Sequence, residues 1–192
     1  SRRSRAAIVE RLRSYGFPAA AGQVMTSVLA AAELVRRRGH RVVAPFVAPQ
    51  ALPDLGEFEL VGGTSGVAPG STSPDAVIIG DLAEGWSYGL LQEAFRAVMG
   101  GADVIALSRD RYWLRGDGLA LDAGPFVAAI EFATGISARV AGKPSRDFFE
   151  AAIRSLGLGA DRSVAEIAVV GDDVWADVQG AQGCGLRGWL VR

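Results

Sequence analysis

Asp172, Asp173 and Asp177 fall within six residues, directly after the apolar run Ile167-Ala168-Val169-Val170-Gly171. Carboxylates gathered at the tip of a buried strand suit a hard cation such as Mg²⁺, which takes oxygen ligands and keeps several waters. Lys143 follows a second apolar stretch, Val140-Ala141-Gly142. A lysine there would supply fixed positive charge for phosphate oxygens or for a carboxylate nucleophile. Asp172 is expected to project from the strand tip and Asp177 to sit a turn into the next helix. Acids at a helix start also cap its free N–H groups, and a lone lysine is ordinarily a surface residue. The functional reading rests on the lysine and the three acids occurring at two strand ends.

Two glycine motifs fail on context. Gly142-Lys143 is followed by Pro144, where a phosphate-binding P-loop needs Ser or Thr. Gly183-Cys184-Gly185-Leu186-Arg187-Gly188 fits G-x-G-x-x-G by letter but lies between a helix and the next strand. Dinucleotide binding needs the reverse order, which disfavours a nicotinamide-dependent oxidoreductase. With one cysteine, Cys184, there is no internal disulfide framework, and with one histidine, His40, no multi-histidine metal site. A Ser-His-Asp hydrolase would depend on that single imidazole. Lys plus Arg (20) nearly cancel Asp plus Glu (21), which argues against a dedicated nucleic-acid or anionic-membrane surface. No run of about 18 apolar residues suggests a membrane span, and the basic start Ser1-Arg2-Arg3-Ser4-Arg5 lacks the apolar stretch of a signal peptide. A cytoplasmic protein is expected.

The elements that position these groups alternate between helical and strand-like periodicity, which predicts an α/β fold. Helices are expected from Ile8 to Gly16 and from Val24 to Arg38, with short strands near Val42 and over Phe58 to Val61. A surface loop is expected over 62–74. Strands follow at Ala76 to Gly80 and Asp103 to Leu107, separated by a helix capped by Ser87 with Leu91, Phe95, Val98 and Met99 inward. Gly116-Asp117-Gly118 between two apolar triplets predicts a hairpin. A helix from Pro125 to Thr134 precedes strand Ala138 to Ala141, helix Ser145 to Leu156, strand Glu166 to Val170, a helix to about Gly183 and strand Gly188 to Val191. These last elements read as consecutive βαβ units with parallel pairing.

Val140-Ala141-Gly142-Lys143-Pro144-Ser145, followed by Gly171-Asp172-Asp173-Val174-Trp175-Ala176-Asp177-Val178, resembles motifs III and IV of the haloacid dehalogenase-like phosphatases. The similarity is to the subgroup with a large α/β cap between motifs II and III, which includes NagD-type sugar phosphatases. Ser87-Tyr88, Arg111-Tyr112, Asp117-Gly118-Leu119 and Glu131-Phe132-Ala133-Thr134-Gly135 look like the phospholysine phosphohistidine inorganic pyrophosphate phosphatase branch. The resemblance implies a three-layer Rossmann-like core with a parallel sheet, over residues 1–40 and 135–192, plus an inserted α/β cap over 41–134. It also implies a Mg²⁺-dependent phosphatase acting on a small phosphorylated substrate through an aspartyl-phosphate intermediate.

In that scheme Asp172, with Asp173 beside or behind it, would ligate Mg²⁺, Lys143 would neutralise the phosphoryl group, and Asp177 would hold Lys143 or a water on the metal. Asp110, Arg111 and Tyr112 are the candidate substrate contacts from the cap, hairpin packing of Tyr112 and Trp113 being the other reading. The family's nucleophile lies in an Asp-x-Asp motif upstream of a Thr-Asn, and no Asp-x-Asp-Gly occurs in these 192 residues. The chain is therefore expected to start just past motif II. A catalytically inactive binding or regulatory module is the alternative, and a homodimer through the cap is a further expectation.

Overall fold

Short runs of apolar residues buried on both faces are what a parallel sheet covered by helices requires, and they build the main layer of this protein. The computed structural model describes residues 2–68, 72–157 and 163–192. Ser1 and residues 69–71 of the expected 62–74 loop lie outside the described residues. Helix α1 (Arg5–Ser14) starts on Ser4, whose side chain accepts from the Ala7 N–H. Helix α2 (Ser27–Arg37) starts on Thr26, which accepts from the Leu29 N–H. Then come β1 (Val42–Phe46), β2 (Glu59–Leu60), β3 (Ala76–Ile79), α3 (Tyr88–Met99), β4 (Asp103–Ala106), the hairpin β5 (Tyr112–Arg115) and β6 (Gly118–Leu121), α4 (Ala123–Thr134) and β7 (Arg139–Val140). Helix α5 (Arg146–Ser155) leads to β8 (Ala168–Gly171), a π-helical turn (Val174–Gln179) that runs into α6 (Gly180–Gly183), and β9 (Arg187–Leu190).

Five strands pair in parallel in the order β2-β1-β3-β4-β7. Side chains alternate across a strand, so β3 serves both faces. Ile78 packs with Val28 and Val35 of α2, while Val77 and Ile79 pack with Ala94 and Val98 of α3 and Val127 and Ile130 of α4. Ile78 is fully buried, so Ile78→Ala is expected to cost about 2–5 kcal/mol, read as a lower urea midpoint at unchanged m-value. Met99, expected inward, is 60% exposed. It follows Val98 by 100° around the helix, which turns it off the face that Ala94 and Val98 bury.

The expected chain of βαβ units needs a correction. β8 and β9 pair in parallel across the π-turn and α6, but as a separate two-stranded sheet. β7 pairs with β4 instead, and the next residue extends the contact, Ala141 donating its N–H to the Ala106 carbonyl at 2.8 Å. β7 is thereby the edge strand of the five-stranded sheet, and its outer edge carries no strand partner among the described residues. Among the described residues, no helix is long and apolar enough to cross a membrane.

Candidate active site

Ligands of parallel α/β sheets bind at the carboxyl ends of strands, and there the chemistry-bearing side chains meet. Lys143, three residues past β7, points its Nζ at Asp177 Oδ1, 2.6 Å away. Asp177 is 6% exposed, and its Oδ2 accepts the Asp173 N–H at 3.2 Å. One buried carboxylate thus aims the lysine and shapes the loop that carries the other acids. Two glycines make this approach possible. A Cβ at Gly171 would stand 2.5 Å from the Asp177 Cβ and nearer still to its carboxyl group. A Cβ at Gly142 would drive into the Leu107 carbonyl oxygen, with the carbonyl carbon 3.1 Å away.

Asp173 is the N-cap of the π-helical turn, its Oδ1 accepting the Trp175 and Ala176 N–H groups at 2.8 Å each. Those amides, Ala176 first, hold its carboxyl below the ordinary range, and Lys143 adds to the effect. Asp172 is exposed and makes no side-chain hydrogen bond or ion pair among the described residues. Within those residues, no three acidic, imidazole or thiol side chains come together to enclose a cation. The donors still fit Mg²⁺, which is commonly bound through one or two carboxylates with waters and substrate phosphate completing its shell.

Two cavities of about 440 and 410 Å³ abut along the strand tips, sharing Ile8, Leu107, Ser108 and Asp110 in their walls. The first holds Lys143 and Asp173; the second is lined by Arg2, Arg3, Asp81, Trp113 and Asp122 as well. Asp110 therefore borders both, its carboxylate accepting the Ser108 hydroxyl at 2.7 Å. Arg111 and Tyr112 lie outside both walls, and Tyr112 is 58% exposed. Successive hairpin residues face opposite sides, so Trp113 takes the cleft side and Tyr112 the outer one. Burial, with Asp81 and Asp110 nearby, pushes the Asp122 carboxyl up against the pull of its hydrogen bond from the Ala123 N–H. Local sequence assigns no site role to Arg2, Asp81, Trp113 or Asp122. Asp81 carried the same signal as Asp172, an acid one residue beyond an apolar strand and a glycine.

The architecture is that of a Rossmann-like α/β phosphatase core with a cap. The chain belongs to the haloacid dehalogenase-like hydrolases. Residues 140–192 match the family model described as "HAD-hyrolase-like". Haloacid dehalogenase-like hydrolase domain-containing protein 2 of Bos taurus is 38% identical over 192 residues, covering all of this chain and 68% of that protein. Phospholysine phosphohistidine inorganic pyrophosphate phosphatase of Bos taurus is 35% identical over 197 residues, covering all of this chain and 66% of that protein. Among solved structures, p-nitrophenyl phosphatase from Archaeoglobus fulgidus superposes with a TM-score of 0.84 at 26% identity, covering 98% of this chain and 69% of that one. A glycerol phosphate phosphatase from Mycobacterium tuberculosis, in complex with magnesium, gives a TM-score of 0.78 at 29% identity, with 98% and 54% covered.

Proposed function

We propose that this protein is a Mg²⁺-dependent phosphatase that hydrolyses a small phosphoric monoester, phosphoramidate or pyrophosphate through an aspartyl-phosphate intermediate. The observation that carries this reading is the ammonium of Lys143 held at 2.6 Å by buried Asp177, beside the acids of the β8 tip. The relatives named above, several of them phosphatases, support it.

Lys143, restrained by Asp177, would meet the charge on the transferred phosphoryl oxygens without having to reorganise during the reaction, the main source of catalysis in such sites. Asp173 fixes the loop through its capping bonds and so presents Asp172. Asp172 and Asp173 would hold Mg²⁺, which when bound supplies Lewis-acid charge stabilisation. The resemblance assigns the attack to an aspartate of an Asp-x-Asp motif. Its carboxylate oxygen forms the new bond to phosphorus as the bond to the leaving group breaks, and the second aspartate gives the leaving group its proton.

The division into core (1–40 and 135–192) and cap (41–134) belongs to this proposal, with β7 paired in the same five-stranded sheet as β1 to β4 and α2 packed against that sheet. So do a cytoplasmic location and a homodimer. Tyr112, Leu114, Leu119 and Leu121, paired across the outer face of the hairpin and all exposed, support the latter.

The test is a panel of phosphate-release assays on the protein expressed from its complete reading frame, with Mg²⁺ and with EDTA. Release from at least one class of substrate, lost with EDTA, is expected. Asp172→Ala should raise the Mg²⁺ needed for half-maximal rate by at least about 10–100-fold. Full activity at unchanged Mg²⁺ would remove Asp172 from the metal site. No release from any substrate would favour the inactive-module reading.

A further inference from the structure

The second cavity, at the tips of β3 and β4, is built by a contact that ties distant parts of the chain together. We propose that Arg2 and Asp81 form a clasp that seats the β5–β6 hairpin at the mouth of the cleft and so positions the wall met by the substrate's leaving group. This rests on the phosphatase reading and adds two positioning residues to it.

Arg2 donates from Nε to Asp81 Oδ2 at 2.7 Å and from Nη2 to Oδ1 at 3.1 Å, both prongs of the guanidinium engaged. Asp81 stands two residues past the end of β3, the middle strand of the sheet. The same guanidinium lies over the Trp113 ring, its Cζ 5.7 Å from the centroid, and Arg115 lies over that ring at 6.0 Å. Arg115 in turn pairs with Glu84, in the short turn just beyond Asp81. Asp81 Oδ1 also accepts the Ala83 N–H at 2.8 Å. Ala83 has φ 48°, left-handed backbone on a residue with a Cβ. Such strain persists only where surrounding contacts over-determine it.

The chain before α1 is tied down a second time, the Arg5 N–H donating to both Asp54 carboxylate oxygens at 2.8 and 3.1 Å. With side-chain exposures of 40% and 20%, the Arg2–Asp81 pair contributes little to stability. Its consequence is geometric: it decides where Trp113 stands relative to the Lys143 end of the cleft.

The experiment uses the protein from its complete reading frame with Mg²⁺, comparing phenyl phosphate, whose ring the proposal assigns to the second cavity, with inorganic pyrophosphate. Asp81→Asn keeps an acceptor for Ala83 and loses the charge; Arg2→Lys loses the fork and the stacking. Each is expected to raise KM for phenyl phosphate about 10-fold with kcat within about 2-fold, and to leave both constants for pyrophosphate within about 2-fold. The double variant should be no worse than either single, since both break one contact. Equal losses on both substrates, additive losses in the double variant, or no change in KM would overturn the clasp. A readout independent of catalysis is tryptic cleavage after Arg115, followed by mass spectrometry. Asp81→Asn should speed it by about 5-fold or more as the hairpin loosens, and an unchanged rate would refute the clasp. Failure of the wild-type protein to release phosphate from either substrate would leave the phosphatase reading to the wider substrate panel, and the cleavage rate would then decide the clasp alone.

Discussion

Replacing Asp177 with alanine is expected to lower kcat/KM by about 10²–10³-fold, the scale of losing one preorganised charge at a transition-state site. The carboxylate does two things at once. Its Oδ1 fixes the Lys143 ammonium at 2.6 Å and its Oδ2 takes the Asp173 N–H. Without it, a long flexible side chain regains its rotamers, and the loop bearing Asp172 loses its tether. Lys143 is 42% exposed on its side chain, so water can solvate the released ammonium, and the loss of stability should stay near 1–2 kcal/mol, below the cost of breaking a fully buried pair. Steady-state kinetics alongside thermal unfolding separates the two effects. Retained activity would show that Lys143 needs no anchor.

Gly171→Ala should reach a similar loss by crowding the same carboxylate. The new methyl would occupy space already filled by the Asp177 side chain, whose Cβ is 2.5 Å away. Either Asp177 turns from Lys143 or β8 shifts. Misplacing a reacting group by about 1 Å costs on the order of 10²-fold, and overpacking adds about 1–3 kcal/mol of destabilisation. Because both substitutions act through one ion pair, the activity losses of Gly171→Ala and Asp177→Ala should be strongly non-additive. Kinetics on the two single variants and the double variant checks this, and additive losses would place the glycine's role elsewhere.

The acids at 172, 173 and 177 and the lysine at 143 were legible because a continuous apolar run followed by glycine and charge marks a strand tip. The Gly116-Asp117-Gly118 turn was legible for its backbone chemistry. Sheet partnership was not: apolar composition says that residues 138–141 form a strand, but nothing local says that it pairs with β4 rather than β8. Asp81 carried the strand-tip signal but lacked neighbouring acids, and its partner Arg2 lies 79 residues away. The hairpin's existence could be read, but which of Tyr112 and Trp113 faces inward depends on how the ribbon lies against the tips of β3 and β4. Asp173 caps the π-helical turn, as an acid at a helix start does, and lines the same cavity as Lys143.

Lys143 rides on the five-stranded layer, while the carboxylate that aims it belongs to the two-stranded one. Competence is therefore a property of alignment, owned by neither piece. A graft that moves only one of these layers into a relative would carry every motif residue it contains and still arrive inert, because the contact that arms the lysine would have been left behind at the seam.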